Sequence, residues 1–173
     1  MLRSRNPNSD VWESRAKNKV LACGRRSTSV TFSDGWFILS VRVFPHHTDY
    51  AGIVWHGTYL TWMEELRVES LRWLGVEYSD LVASGCDLPV VELMLRYHQS
   101  VTMGMTILIK GRLVPTKGLR MIWEYQIVSE NHQQQYVSGQ VTLVPLSRET
   151  GKIMRRLPPR LQEALEKIKM LSI

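Results

Sequence analysis

The feature that most constrains this chain is a polar loop that runs directly into one long amphipathic helix. Residues 44–52 carry a proline, paired histidines, an aspartate and a glycine, and sustain neither hydrophobic period. Beyond them Tyr59, Met63, Leu66, Ser70 and Trp73 recur at spacings of three and four, and Leu60, Leu71 and Leu74 widen the stripe. That is the face of a helix laid against a core. Thr61, Glu64, Glu65, Arg67, Glu69 and Arg72 occupy the other face. Thr58 is placed to cap the helix and Gly75 to end it. A loop with one carboxylate, Asp49, and three histidines, His46, His47 and His56, therefore delivers the chain into the positive end of a helix. The unpaired N–H groups there attract developing negative charge.

A single amphipathic helix needs a sheet to cover it. Residues 36–44 read as a first strand, and four more follow the helix, at 88–99, 105–114, 119–129 and 136–146. A short second helix over 78–84 closes at Gly85, and Pro158-Pro159 opens a C-terminal helix over 160–171. Within 88–99, Val91, Leu93, Leu95 and Tyr97 alternate with Glu92, Met94, Arg96 and His98, giving one apolar face. The prediction is an α+β fold, a long central helix wrapped by a five-stranded antiparallel sheet in meander order.

Composition narrows the function classes. At 173 residues and 44% hydrophobic, the chain is one globular domain with a real core. No apolar run is long enough to cross a bilayer, so no membrane insertion is expected. Cys23 and Cys86 stand apart, which suits a reducing cytoplasm rather than a disulfide framework. The net charge of +6 sits at the ends: residues 1–33 hold seven Lys/Arg against two acids, and 148–173 seven against three. The middle is slightly acidic, which excludes a nucleic-acid reader with a basic face on its folded body. Residues 1–35 are expected to be a disordered extension, with an organelle transit peptide as the alternative reading of the Arg/Ser-rich composition, and 36–173 the folded domain.

The order of elements and the run VRVFPHHTDYAGIVWHGTYLTWMEELRVESLR, residues 41–72, resemble the hot-dog fold and the signature of the 4-hydroxybenzoyl-CoA thioesterase family. The run is also similar to the family's Tol-Pal-associated acyl-CoA thioesterase branch, although Pro45, His46 and His47 stand where that branch has an aromatic and two acids. The resemblance implies hydrolysis of an acyl-CoA thioester to a carboxylate and free CoA. It also implies a homodimer or homotetramer whose sheets join edge to edge, with active sites at the subunit interface. It carries the catalytic aspartate to Asp49 and the catalytic histidine to His56.

Those residues suit the chemistry. Asp49 can attack a thioester carbonyl directly or deprotonate water. The backbone N–H groups of Gly57, Thr58 and Tyr59 can hold the oxyanion, and His56 can orient Asp49 or bond the substrate. Lys117 and Arg120, or Arg148, Lys152, Arg155 and Arg156, are candidate partners for CoA phosphates. Trp55, Tyr59 and Trp62 make an aromatic acyl group such as 1,4-dihydroxy-2-naphthoyl reasonable, beside short-chain ones. No metal or redox cofactor is expected, since CoA is part of the substrate and adjacent histidines rarely ligate one ion together. The alternative reading is a non-catalytic acyl-CoA-binding protein on the same fold; a hot-dog dehydratase fits the aspartate-before-helix arrangement less well.

Overall fold

The computed structural model describes residues 30–116 and 118–171. Strands β1 (Thr31–Ser33) and β2 (Trp36–Arg42) come first, then a 3-10 turn (Pro45–His47) and helix α1 (Thr58–Trp73). Helix α2 (Tyr78–Ala83), β3 (Cys86–Asp87), β4 (Val90–Tyr97), β5 (Thr106–Val114), β6 (Met121–Ser129), β7 (Gln135–Leu143), β8 (Leu146–Ser147) and α3 (Pro159–Leu171) follow. One antiparallel sheet has the order β1-β2-β5-β6-β7-β4, and β3 pairs separately with β8. Helix α1 lies on the sheet in the hot-dog manner. Tyr59, Trp62, Met63 and Leu66 are buried against Phe37, Leu39, Ile107, Ile109, Trp123, Tyr125, Ile127 and Val137.

Two features differ from the sequence expectation. The main sheet has six strands rather than five. The sixth is β1, which falls inside the stretch assigned to the extension: Thr31, Phe32 and Ser33 pair with Ile38, Phe37 and Trp36. Three residues are too short to show alternation, so β1 is legible only from its partner. The remainder of the predicted extension, residues 1–29, lies outside the described residues.

The second difference is strand order. β5, β6 and β7 form the expected meander, but β4 pairs with β7 at the far edge, opposite β2. The crossing from β2 to β4 spans four strand spacings, about 19 Å, which the loop and a sixteen-residue helix easily cover. Among the described residues no strand pairs with the outer edge of β4, and Val91, Leu93 and Met94 remain 54%, 44% and 62% exposed.

Close approach of α1 depends on Gly111 in the middle of β5. A Cβ there would stand 2.7 Å from Leu66 Cδ2 and 3.0 Å from the Tyr125 ring, and Leu66 and Tyr125 are both fully enclosed. The Tyr125 hydroxyl donates to the Met63 carbonyl at 3.1 Å and accepts from Arg67 Nη1 at 3.2 Å. This ties helix to sheet through a pair of hydrogen bonds.

Candidate active site

The loop folds back on itself before it enters the helix. Thr48 and Val54 form an antiparallel bridge, the Asp49 N–H donates to the Ile53 carbonyl at 2.8 Å, and the Trp55 N–H donates to the His47 carbonyl at 3.0 Å. Asp49 thus sits at the tip of a miniature hairpin, with Gly52 supplying the positive φ (74°) that closes it. A second layer anchors the return strand: the Val54 N–H donates to Val101 and the Met103 N–H to Gly52.

The carboxylate of Asp49 is divided in use. Oδ1 accepts from the N–H of Ala51 at 2.9 Å and of Ile53 at 3.2 Å. Oδ2 has no hydrogen-bond partner among the described residues, and the side chain is exposed. The turn itself therefore orients the carboxylate, one of the two tasks, beside bonding the substrate, that the sequence offers His56. The His56 ring lies against Trp55 at 4.8 Å and makes no hydrogen bond to Asp49.

The start of α1 also departs from expectation. Gly57 is the N-cap and no side chain caps the helix. Thr58, predicted for that position, sits inside the helix and donates its hydroxyl to the His47 carbonyl at 3.1 Å. Among the three expected oxyanion donors, the Thr58 N–H is occupied by the Trp55 carbonyl at 2.9 Å. The N–H groups of Gly57 and Tyr59 find no acceptor among the described residues, and neither does that of His56, a third donor that residue type could not reveal. At Gly57 a Cβ would run into the Trp55 ring, so the missing side chain lets that indole fold over the helix start. Trp55 is 54% exposed.

Beside these donors is an open depression of about 260 Å³ lined by Ile53, Val54, His56, Tyr59, Tyr97, His98, Gln99 and Ser100. Its far wall comes from β4, which no local motif pointed to. The Tyr97 hydroxyl donates to the His56 carbonyl at 3.1 Å and its ring meets Tyr59 at 5.6 Å. Tyr59 is buried and its hydroxyl bonds backbone Val101; burial pushes its pKa up to about 12 despite that bond. Tyr59 and Trp62 are core residues, and of the predicted aromatic set Trp55 alone is exposed.

The predicted phosphate partners are elsewhere. Lys117 lies outside the described residues. Arg120 follows the far end of β5, whose nine residues hold it about 26 Å from the Asp49 end of the same sheet. There, with Arg155, Arg156 and Lys169, it rims a cavity of about 590 Å³ floored by Leu113, Met121, Leu157 and Ile168. A third cavity, about 330 Å³, lies between α1 and the sheet and combines Glu64, Arg67, Tyr78 and Asp87 with Trp123 and Leu143. No three His, Cys, Asp or Glu side chains among the described residues converge as metal ligands.

The loop thus presents an exposed carboxylate with one oxygen lacking a partner, and the helix start presents N–H groups lacking an acceptor, among the described residues. Residues 43–165 match the family model of the thioesterase-like superfamily. The chain belongs to that superfamily. A Synechocystis sp. protein provisionally named an esterase is 52% identical over 137 residues, 79% of this chain and 82% of that protein. A Bacillus subtilis protein provisionally named an acyl-CoA thioesterase is 34% identical over 80 residues, 46% of this chain and 58% of its own length. Among solved structures, the DHNA-CoA thioesterase of Staphylococcus aureus superposes with a TM-score of 0.71 at 28% identity, covering 79% of this chain and 92% of that one. The chain is accordingly a hydrolase of the thioesterase-like superfamily with the hot-dog fold. The match is to the superfamily and does not single out its 4-hydroxybenzoyl-CoA or Tol-Pal-associated branch. No helix among the described residues is long and apolar enough to cross a membrane.

Proposed function

We propose that this thioesterase hydrolyses acyl-CoA thioesters, with Asp49 as the reacting carboxylate. The observation that carries the reading is the divided carboxylate: Oδ1 is pinned by two N–H groups while Oδ2 is free and solvent-facing. The thioester carbonyl oxygen would rest on the free N–H groups of His56, Gly57 and Tyr59. Losing one such donor typically costs about a hundred- to a thousandfold in rate. Two routes follow. In the first, Oδ2 attacks the carbonyl carbon, the C–S bond breaks, CoA leaves as thiolate, and water hydrolyses the mixed anhydride. In the second, Oδ2 takes a proton from water, whose oxygen attacks, and the tetrahedral intermediate expels the same thiolate. Hydroxylamine trapping of acylated Asp49 in a single turnover separates them.

A second copy joining along the outer edge of β4, the strand that walls the site, would extend the sheet past it, in a homodimer or a homotetramer built from it. A two-fold axis at Leu93/Met94 sets Val90 of one copy opposite Tyr97 of the other. The His56 end of one copy then meets the Glu64/Trp123 cavity of the next. That cavity supports an aromatic or short-chain acyl group, and 1,4-dihydroxy-2-naphthoyl is consistent with the similarity to the S. aureus enzyme. The same pairing brings a second copy's Arg120, Arg155 and Arg156 toward the Asp49 end, where CoA phosphates would need them.

The test is Asp49→Asn assayed on a panel of acyl-CoAs with a thiol-reactive dye. Asparagine keeps an oxygen for Ala51 and Ile53, so the hairpin persists while the charge is lost. The expected result is at least about a hundredfold loss in kcat with an unchanged melting curve; undiminished turnover would refute the assignment.

A further inference from the structure

The histidines before Thr48 are not absorbed by this chemistry, and one of them is built into the loop. His47 closes the 3-10 turn onto its own beginning: Nδ1 accepts from the Phe44 N–H at 3.0 Å. Because a backbone N–H can only donate, Nδ1 carries no proton, and the neutral ring holds its hydrogen on Nε2. The ring is wedged edge-on between His46 at 4.0 Å and Trp62 of α1 at 5.0 Å. Its carbonyl takes two donors, the Trp55 N–H at 3.0 Å and the Thr58 hydroxyl at 3.1 Å. His47 thus joins the start of the turn, the return strand of the hairpin and the first turn of α1. Asp49 is two residues further on, about 7 Å along the outgoing arm of the hairpin.

We propose that neutral His47 is a positioning residue, fixing the strand that carries Asp49 against the head of α1 so that the free carboxylate oxygen faces the oxyanion donors. This rests on the assignment of Asp49 above. His46, on the same turn, is the titratable group against the ring; from α1 it meets Trp62 and Thr58, and from the return strand Trp55, none of which ionises near neutrality. Protonation would place a hydrogen on Nδ1 facing the Phe44 N–H, and the closing bond would be lost. Burial and the neighbouring His46 hold the pKa below the ordinary value of 6.5. A lowered value means the neutral form is in place at neutral pH, and the clasp opens as pH falls through the lowered pKa.

The test is the pH profile of kcat/KM for wild type, His47→Asn and His47→Ala, with Asp49→Asn as control. Asparagine offers an acceptor near the position of Nδ1 but does not titrate. His47→Ala is expected to lose roughly ten- to a hundredfold in kcat with KM within about threefold, the signature of a misplaced group rather than lost binding. His47→Asn should recover most of that loss and move the acid limb to lower pH. An acid limb unchanged in His47→Asn, or a wild-type kcat in His47→Ala, would overturn the proposal. If His47→Ala does not fold, the comparison of acid limbs between wild type and His47→Asn decides alone. An active Asp49→Asn would instead remove the reading on which the proposal stands, whereas an inactive one with an unmoved limb removes the role of His47 only.

Discussion

The distance between α1 and the sheet can be tested with a double-mutant cycle at Gly111 and Leu66. Gly111→Ala adds one methyl whose carbon would lie 2.7 Å from Leu66 Cδ2 and 3.0 to 3.3 Å from the Tyr125 ring. Both neighbours are enclosed, Leu66 with no exposed surface and Tyr125 with 1%, so neither side chain can swing into solvent. Overpacking of this kind costs about 1–3 kcal/mol, offset by about 0.4–1 kcal/mol from the stiffer unfolded chain. Leu66→Ala alone should cost about 3–5 kcal/mol through lost burial and the cavity it leaves. The cavity opens where the methyl added at position 111 would point, so in the double variant that methyl fills space instead of clashing. The combined cost should therefore fall short of additivity by about 1–2 kcal/mol. Urea denaturation of the four proteins, with equal m-values as the two-state check, measures it. Additivity within about 0.5 kcal/mol would show that Gly111 is not there for Leu66, and the account of how the helix seats on the sheet would fail.

Three further variants probe other parts of the molecule. Leu93→Lys lies in the edge strand β4, where the side chain is 44% exposed, so it should leave the fold intact but turn the proposed β4-joined dimer into monomers by light scattering, with hydrolysis recovering as protein concentration rises. A wild-type protein that is itself monomeric and fully active would refute the β4 interface. Tyr59 has its pKa raised from 10.0 to about 12. It should contribute stability that is present below pH 10 and lost as pH climbs toward 12, an alkaline decline that Tyr59→Phe should lessen when melting temperature is followed against pH. Asp49→Asn, tested above on activity, should change the melting temperature by no more than about 2 °C, because the Ala51 and Ile53 hydrogen bonds survive with a neutral acceptor.

Much of this protein is written locally and can be read that way. The 3.6-residue stripe from Tyr59 to Trp73 becomes α1 because burial of one face is enough to choose helix. The alternation in β5 and β6 becomes strand for the same reason at period two. Asp49 lies in the proline- and glycine-bounded loop read from the sequence, since turn chemistry depends on near neighbours, while the hairpin that exposes it is seen only in the structure. What escapes local reading is pairing. β4 lies at the sheet edge beside β7 although β5 follows it in sequence, because partner choice is a long-range contact that no short window encodes. β1 is a strand only because β2 is beside it. The same limit reaches the site: residue types could propose the helix start as an oxyanion site, but which N–H has an acceptor depends on the fold, and Thr58 finds the Trp55 carbonyl while His56 finds none among the described residues. Arg120 reads as a candidate CoA-phosphate partner for the Asp49 loop, yet a nine-residue strand puts the two at opposite ends of the sheet. Side-chain chemistry and periodicity are properties of the sequence, whereas the juxtaposition of groups far apart along it belongs to the tertiary structure, since hydrogen-bond partners and buried neighbours are chosen only when the whole chain packs.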